Sequence, residues 1–491
     1  SAFFIVVDPY LNKTAKLADL HIKLKPGTDG ALACALMNRI VKSKRIDYEY
    51  VKKFTKDYDL LSSHLGKKTP EWAESISGVS AKTINKFADI LSKIKPSYFR
   101  LGYGFSRQRN GSFNMHAVSC IPTLLGSWKH KGGGAFYNNS DIYKINKDTI
   151  EGLKFKNNRI RVLDQSRIGS ILCNEKDALN GGGIVKSLFI QNTNPMVVAP
   201  ETLKVKKGFL RKDLFTCVHE QFMTETAKYA DIVLPATSFV EHDDIYISGG
   251  HQHLTYGPKL IENIGESWSN NKLINALGSK LGSSNKCFKL TEKEIINITL
   301  KESNLGTLEK LKKKEYLDLQ PNYTESNFLN GFGHEDKKFH FSPQWKKKDV
   351  KFNKKFNLPD HYNLNENADK NHPYKLVTAP AHNFLNSSFT ELETSRKKEN
   401  KPTIKVHPSD LKKLKCSTND IVTIGNKRGK IRIHIEKFSG VLPGVTIVEG
   451  IWPNEFFLDK LGINALVGSD SPQPAGGAVF HDVAIWIKKL N

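Results

Sequence analysis

Phe215–Tyr256 reads FTCVHEQFMTETAKYADIVLPATSFVEHDDIYISGGHQHLTY, and this stretch decides the fold. Phe215 to Val218 is a short apolar run that passes directly into His219, Glu220 and Gln221. A short helical segment follows, then a second apolar run, Ile232 to Leu234, closed by Pro235 and a group of charged and imidazole side chains. Brief apolar runs bounded by turn residues are the pattern of buried strands. Open α/β sheets place ligand contacts at the carboxyl ends of their strands, and here two strands end in polar groups.

The flanking sequence repeats the pattern. Phe3 to Val7 is a strand closed by Asp8-Pro9, followed by TAKLADLHIKLKPGTD and an apolar helix from Gly30 to about Val41. Ser97 to Gly102 is another strand, ending in the turn GYGFSRQRNG, and a helix from Ser112 to Leu125 runs into the loop GSWKHKGGG. SLFIQNTNP, Ser187 to Pro195, is again a strand meeting a polar turn. From Ser283 to His372 the chain turns polar and Lys-rich (EKLKKKEY, QWKKKDVKFNKKF), which reads as partly helical connecting structure with solvated faces. In the last portion Ile431, Ile433 and Ile435 of KIRIHIE alternate, and the runs IVTIG and VTIVEG are separated by Gly and Pro turns. That pattern predicts a compact β-barrel.

Composition bounds the function. A chain of 491 residues can bury several cores, and 39% hydrophobic with 10% aromatic residues is ordinary for a globular protein. No apolar run approaches the roughly 20 residues needed to cross a bilayer. The net charge of +24 raises nucleic-acid binding, but the excess is mostly Lys spread over the whole chain, with no zinc-finger spacing, RNA-binding aromatic signature or Arg-rich arm. Nucleic acid is therefore not expected as a partner. The six cysteines (34, 120, 173, 217, 287 and 416) form no CxxC pair, so no iron–sulfur site and no disulfide framework is read here. The chain opens at Ser1 inside a strand and is read as a fragment whose beginning lies upstream, where any targeting signal would also lie.

These motifs together closely resemble the molybdopterin oxidoreductases, the DMSO reductase-like enzymes that hold molybdenum or tungsten between two molybdopterin guanine dinucleotides. The resemblance covers nearly the whole chain. It implies an α/β fold with open Rossmann-like domains and a C-terminal double-psi-type barrel. The divisions expected are 1–130 (incomplete at its N-terminus), 131–282, a connecting region 283–372 and a dinucleotide-binding barrel 373–491. Asp8, Pro9, Gly27, Thr28 and Asp29 fall on the family's contact positions for one guanine dinucleotide. A carboxylate can accept two hydrogen bonds from a guanine edge, and glycine lets backbone donors approach phosphate. Gly104 and Arg107 match the loop approaching the pterin, where Arg suits bidentate recognition. Asn194 is a further contact position, His219 and Glu220 match positions meeting the guanosine, and His242 and Asn270 match polar contacts.

In the barrel, LVTAPAHNFLNSSF resembles the family's long contact loop, with Thr378, His382, Asn386 and Ser387 as its polar groups. It departs from the pattern at Thr378-Ala379-Pro380, where many members have Thr-Gly-Arg. Asn464 in GINALVGSD and His481 in AGGAVFHD fall on cofactor contacts. In the family, the metal-ligating side chain and any cysteine motif for an iron–sulfur cluster precede the strand at which this chain starts, so no metal ligand or catalytic residue is nominated. Formate dehydrogenases of the family carry an Arg shortly after the Gly-rich loop. GGGAFYNNS supplies Tyr137, Asn138 and Asn139 instead, which weakens formate oxidation. The reading is oxo-transfer or two-electron redox chemistry on a small substrate, with an electron-transfer partner accommodated. The alternative is a cofactor-free scaffold subunit of an electron-transfer complex that retains the same fold.

Overall fold

The computed structural model describes residues 2–346 and 349–490. Lys347 and Lys348, within the QWKKKDVKFNKKF run, lie outside the described residues, as do Ser1 and Asn491. Both halves of the expected architecture are present: mixed α/β structure through most of the chain, and a closed six-stranded barrel at its C-terminal end.

The first core is carried by helices more than by strands. Helices Asp29–Lys42, Tyr58–Leu65, Pro70–Ser77, Ala81–Lys93 and Gly111–Leu124 pack around Leu36, Met37, Ile40, Leu61, Ile84 and Ile121, all 2% exposed or less. Two short parallel pairs edge it, Ile5–Val7 with Leu20–Ile22 and Tyr98–Arg100 with Gly134–Phe136. These strands stop after three residues because Asp8-Pro9 and the Gly102–Gly104 turn interrupt them, so the parallel structure comes in small pieces instead of one wide sheet.

The opening stretch behaves as its sequence predicts. Ser187–Gln191, Phe215–Glu220 and Ile232–Pro235 form a parallel three-stranded sheet in chain order, with Ile190 against Val218 and Val218 against Val233. Helix Thr202–Phe209 crosses over between the first two strands and contributes Val205 and Phe209 to the core beneath them.

The Lys-rich region is more than connecting structure with solvated faces. Its strand Tyr316–Asp318 pairs with His253–Gly257, and Phe339–His340 pairs with Thr55–Lys56 of the first core. Phe341 is fully buried, and Trp345, Phe356 and Tyr362 surround Phe113 with ring centroids 4.6–5.2 Å apart. The lysines cover the outside while one aromatic or aliphatic side chain every few residues is driven inward.

In the barrel the strand order is Tyr374–Ala379, Val445–Glu449, Thr403–Val406, Gly429–Lys437, Ile421–Asn426, Val483–Lys489 and back to the first. Two of the pairings are parallel and the remainder antiparallel. Ile431, Ile433 and Ile435 point into the interior at 0–2% exposure, as their alternation requires.

Candidate functional site

The sequence candidates gather in two groups, both along the seam where the α/β portion meets the barrel. The first group starts at Asp8, directly after strand Ile5–Val7. Its backbone N–H donates to the Ile22 carbonyl at 3.2 Å, and its Oδ1 accepts from the Tyr10 N–H at 3.1 Å. Pro9 follows, and the chain then docks on the barrel through Leu11, whose N–H donates to the Gly440 carbonyl at 2.8 Å. Asp29 opens helix Asp29–Lys42 close enough to Asp8 for the two charges to interact. Burial pushes the Asp8 carboxyl up to about 6, opposed by the Tyr10 amide and helped by Asp29. Burial likewise raises Asp29 to about 6.

The turn before Asp29 is tightly supported. Gly27 has φ +81°, and a Cβ there would run into the side chains of Asn365 and Gln108. Its carbonyl accepts from Asn110 Nδ2 at 2.7 Å, and the Gly30 N–H donates to Asn114 Oδ1 at 3.1 Å. The Thr28 hydroxyl donates back to the Lys25 carbonyl at 2.6 Å, so it holds the turn.

Gln108 leads to Arg107, whose guanidinium lies over the Phe480 ring, 5.5 Å from its centroid. The Arg107 carbonyl accepts from the His481 N–H at 3.0 Å. Burial, and then the Arg107 charge, hold His481 down to about 4 against an upward pull from the Thr378 backbone, so it is neutral at neutral pH. The Thr378 hydroxyl is committed to the Phe480 carbonyl at 2.8 Å. Among the described residues the Arg107 guanidinium has no acidic partner and no hydrogen-bond acceptor, so a half-buried cation faces the seam uncompensated.

The second group lies at the carboxyl ends of the three-stranded sheet. His219 is 1% exposed, and both ring nitrogens are engaged. Its Nε2–H donates to the Trp268 carbonyl at 3.0 Å, and Nδ1 accepts from Gln191 Nε2 at 3.2 Å. Gln191 also donates to Asn270 Oδ1 at 3.2 Å. His219 therefore orients Gln191 and Asn270 and has no capacity left for a direct contact. Glu220 is half-buried, and burial raises its carboxyl, opposed by the Gln221 amide and helped by Glu391 on the barrel loop. His242 shares a 2.8 Å hydrogen bond with the Thr237 hydroxyl.

Asn194 Oδ1 accepts from the Thr226 N–H and hydroxyl at 3.1 and 2.7 Å. Two barrel asparagines bind the turn that follows it: Asn464 Nδ2 donates to the Val197 carbonyl and Asn454 Nδ2 to the Met196 carbonyl, both at 2.9 Å. Asn464 is 1% exposed, and its Oδ1 is buried with no partner among the described residues. An unmatched buried acceptor is unusual enough to require an explanation.

Four candidates stay on the rim. Gly104, Asn270, His382 and Asn386 are exposed, and Asn386 takes a left-handed φ of +53° in the loop after Ala379. Ser387 helps shape that loop, its carbonyl accepting from the Thr390 hydroxyl at 2.5 Å. Of the residues replacing the formate-type Arg, Asn139 is tied to the backbone, its Nδ2 donating to the Ser248 and His251 carbonyls at 3.0 and 2.6 Å. Sequence reading passed over Gln108, Arg109, Asn110, Gln191, Glu391, Asn454 and Asp482. Three of these sit immediately beside Arg107 in RQRN and one beside His481 in HD, so proximity to a motif was the available signal.

Comparison with known proteins converges on one family. Residues 1–280 match the family described as molybdopterin oxidoreductase, and residues 374–484 match the molydopterin dinucleotide binding domain. The probable oxidoreductase YoaE of Bacillus subtilis (strain 168) is 33% identical over 100% of this chain and 71% of its own length. The F420-dependent formate dehydrogenase subunit alpha of Methanocaldococcus jannaschii is 26% identical over 91% of this chain and 67% of its own. The acetylene hydratase from Pelobacter acetylenicus superposes with a TM-score of 0.77 at 17% identity, over 99% of this chain and 74% of that one; at that identity the likeness speaks for the fold.

Proposed function

The chain belongs to the molybdopterin oxidoreductase family, and we propose that its seam binds two molybdopterin guanine dinucleotides around molybdenum or tungsten for two-electron chemistry on a small substrate. The observation carrying this reading is Arg107, a cation without a counter-charge among the described residues and beside a neutral imidazole. A half-buried charge of this kind is costly unless an anion completes it, and a pyrophosphate-bearing pterin is such an anion.

The donor set fits the cofactor chemically. Asp8 and Asp29 offer acceptors suited to the N–H edge of guanine, and Asn464 Oδ1 is an acceptor awaiting a donor. The first amides of helix Asp29–Lys42 are largely taken, Gly30 by Asn114 Oδ1 and Ala31 and Leu32 by the Thr28 carbonyl, so this end would offer the cofactor mainly its carboxylates. Glu220 offers an acceptor for the second dinucleotide, and His242, on the loop after strand Ile232–Pro235, an imidazole. When bound, the pterin-held metal would supply the change of oxidation state, as cofactors do for hard chemistry generally. The protein would hold and orient it: Arg107 by charge, His481 as a neutral polar neighbour, and the barrel asparagines by fixing the Asn194 turn. Sulfoxide or N-oxide reduction and oxidation of a small organic acid are the candidate reactions.

Metal and pterin analysis of the purified, folded protein tests this. Molybdenum or tungsten and a pterin that releases GMP on hydrolysis are expected, with Arg107→Gln lowering the pterin content. A folded preparation that takes up neither metal nor pterin would favour the cofactor-free scaffold.

A further inference from the structure

Six charged side chains cross the seam in one balanced cluster. Arg109, two residues beyond Arg107, places Nη1 2.9 Å from both Asp482 Oδ2 and the Asp482 carbonyl. Its Nε and Nη2 meet the two oxygens of Asp470 at 2.5 and 2.8 Å. Asp482 is 0% exposed, and its other oxygen accepts from Lys375 Nζ at 2.6 Å and from the Glu366 N–H at 3.1 Å. Both carboxylate oxygens of Glu366 in turn accept from Arg428 Nη2, at 2.9 and 2.8 Å. Arg109, Arg428 and Lys375 thus balance Asp482, Asp470 and Glu366. The three acids and two of the bases lie on the barrel or the segment entering it; Arg109 alone comes from the first α/β core.

We propose that Arg109 is a positioning residue that latches the Arg107 loop to the end of the barrel, setting the register in which Arg107 meets His481. The inference rests on the cofactor reading above. The direct link between the two segments is otherwise thin: the 3.0 Å bond from the His481 N–H to the Arg107 carbonyl, a long 3.4 Å bond from the Arg109 N–H to Asp482 Oδ2, and the contact of Arg107 with Phe480. Asp482 adjoins His481, and Arg109 is separated from Arg107 by one residue, so the ion pair fixes the backbone on both sides of that bond. Guanidinium is needed because one planar fork reaches two carboxylates at once, which a lysine ammonium cannot do with the same geometry. Without Arg109, Asp482 keeps Lys375 and Glu366 keeps Arg428, and the one carboxylate left unpaired, Asp470, is exposed to solvent, so loss of the latch is expected to act on the seam and not on the barrel fold.

Amide hydrogen exchange on the full chain tests this, comparing Arg109→Lys and Arg109→Gln with Arg432→Gln, which removes an exposed pair with Asp459 on the far barrel strand. In cofactor-free protein, both Arg109 variants should speed exchange at least tenfold in segments 104–108 and 479–483. The strand Phe215–Glu220 should be unchanged, and Arg432→Gln should alter neither. In protein carrying pterin and metal, the Arg109 variants should release pterin about tenfold faster and shift the metal's paramagnetic spectrum. Unchanged exchange at the seam, or equal acceleration throughout the chain, overturns the latch. A wild-type protein without pterin overturns the cofactor reading, while the exchange comparison still decides the role of Arg109.

Discussion

Asp8 and Asp29 are held close to neutrality by burial, and that has a cost which depends on pH. Both carboxyls stand at about 6 in the folded chain against an ordinary value of 3.8, so the folded state binds protons more readily than the unfolded one. Their contribution favours folding below pH 3.8 and is lost as pH rises through about 6. At neutral pH they are therefore destabilising, as groups kept for binding often are. Asp29→Asn should stabilise the cofactor-free protein by about 1–2 kcal/mol at pH 7.5 and add nothing at pH 4, while reducing retained pterin. Urea unfolding at the two pH values measures it; an equal effect at both would remove the argument. His481 runs the opposite way. Its folded value of about 4 lies below the ordinary 6.5, so its contribution is complete above pH 6.5 and lost as pH falls toward 4. Asp8, Asp29, Arg107 and His481 could be nominated from sequence because each sits in a short motif. Arg109 and Asp482 adjoin those motifs, but their pairing was not legible, since it joins residues 373 apart. Nor could sequence tell that His219, correctly placed at a strand end, spends both nitrogens on Gln191 and Trp268.

At the scale of elements, legibility followed period. KIRIHIE alternates strictly, and its three isoleucines are interior in the barrel, so the strand could be read residue by residue. Ile433→Ala should cost about 2–5 kcal/mol because it opens a cavity in a closed barrel. Arg432→Ala, one residue away on the outer face, should cost less than about 1 kcal/mol, since its partner Asp459 is solvent-screened. Denaturant titration of the two variants separates them, and comparable losses would mean that the strand's facing is misassigned. Strands Phe215–Glu220 and Ile232–Pro235 were equally readable, being apolar runs with abrupt polar ends. The Lys-rich region was not. Phe339 and Phe341 alternate over too short a run to read as a strand, Trp345 stands alone before three lysines, and only the fold brings them against the first core and Phe113. Of the three-residue strands of the first core, Ile5–Val7 and Tyr98–Arg100 were legible, whereas their partners Leu20–Ile22 and Gly134–Phe136 were not, the latter starting in a glycine run that reads as a loop.

Over the whole molecule, the net charge of +24 is unevenly compensated. Most lysines are solvated, whereas the seam holds a balanced cluster around the fully buried Asp482, with Asp470 at its exposed edge, and beside it the Arg107 guanidinium, unmatched among the described residues. The α/β core and the barrel each have their own hydrophobic cluster, so each retains most of its stability without the other. Beside a small apolar cluster in which Tyr10 packs with Val377, Val441, Val445 and Ile447 of the barrel, the contacts that join them are largely polar, and among the described residues part of their bonding capacity is unfilled, Asn464 Oδ1 included. A ligand that binds only the closed seam stabilises it by mass action, by about 4 kcal/mol at a thousandfold excess over its dissociation constant. Calorimetry should therefore show the cofactor-loaded protein unfolding in one transition at a higher temperature. The cofactor-free protein should separate into a barrel transition and an α/β transition. Weak acid should widen that separation, because His481 is held neutral in the closed seam and takes up a proton more readily once the seam opens. Coincident transitions in the cofactor-free protein, unmoved between pH 7.5 and 5, would show that the two portions are coupled through packing and that the polar seam does not govern their closure.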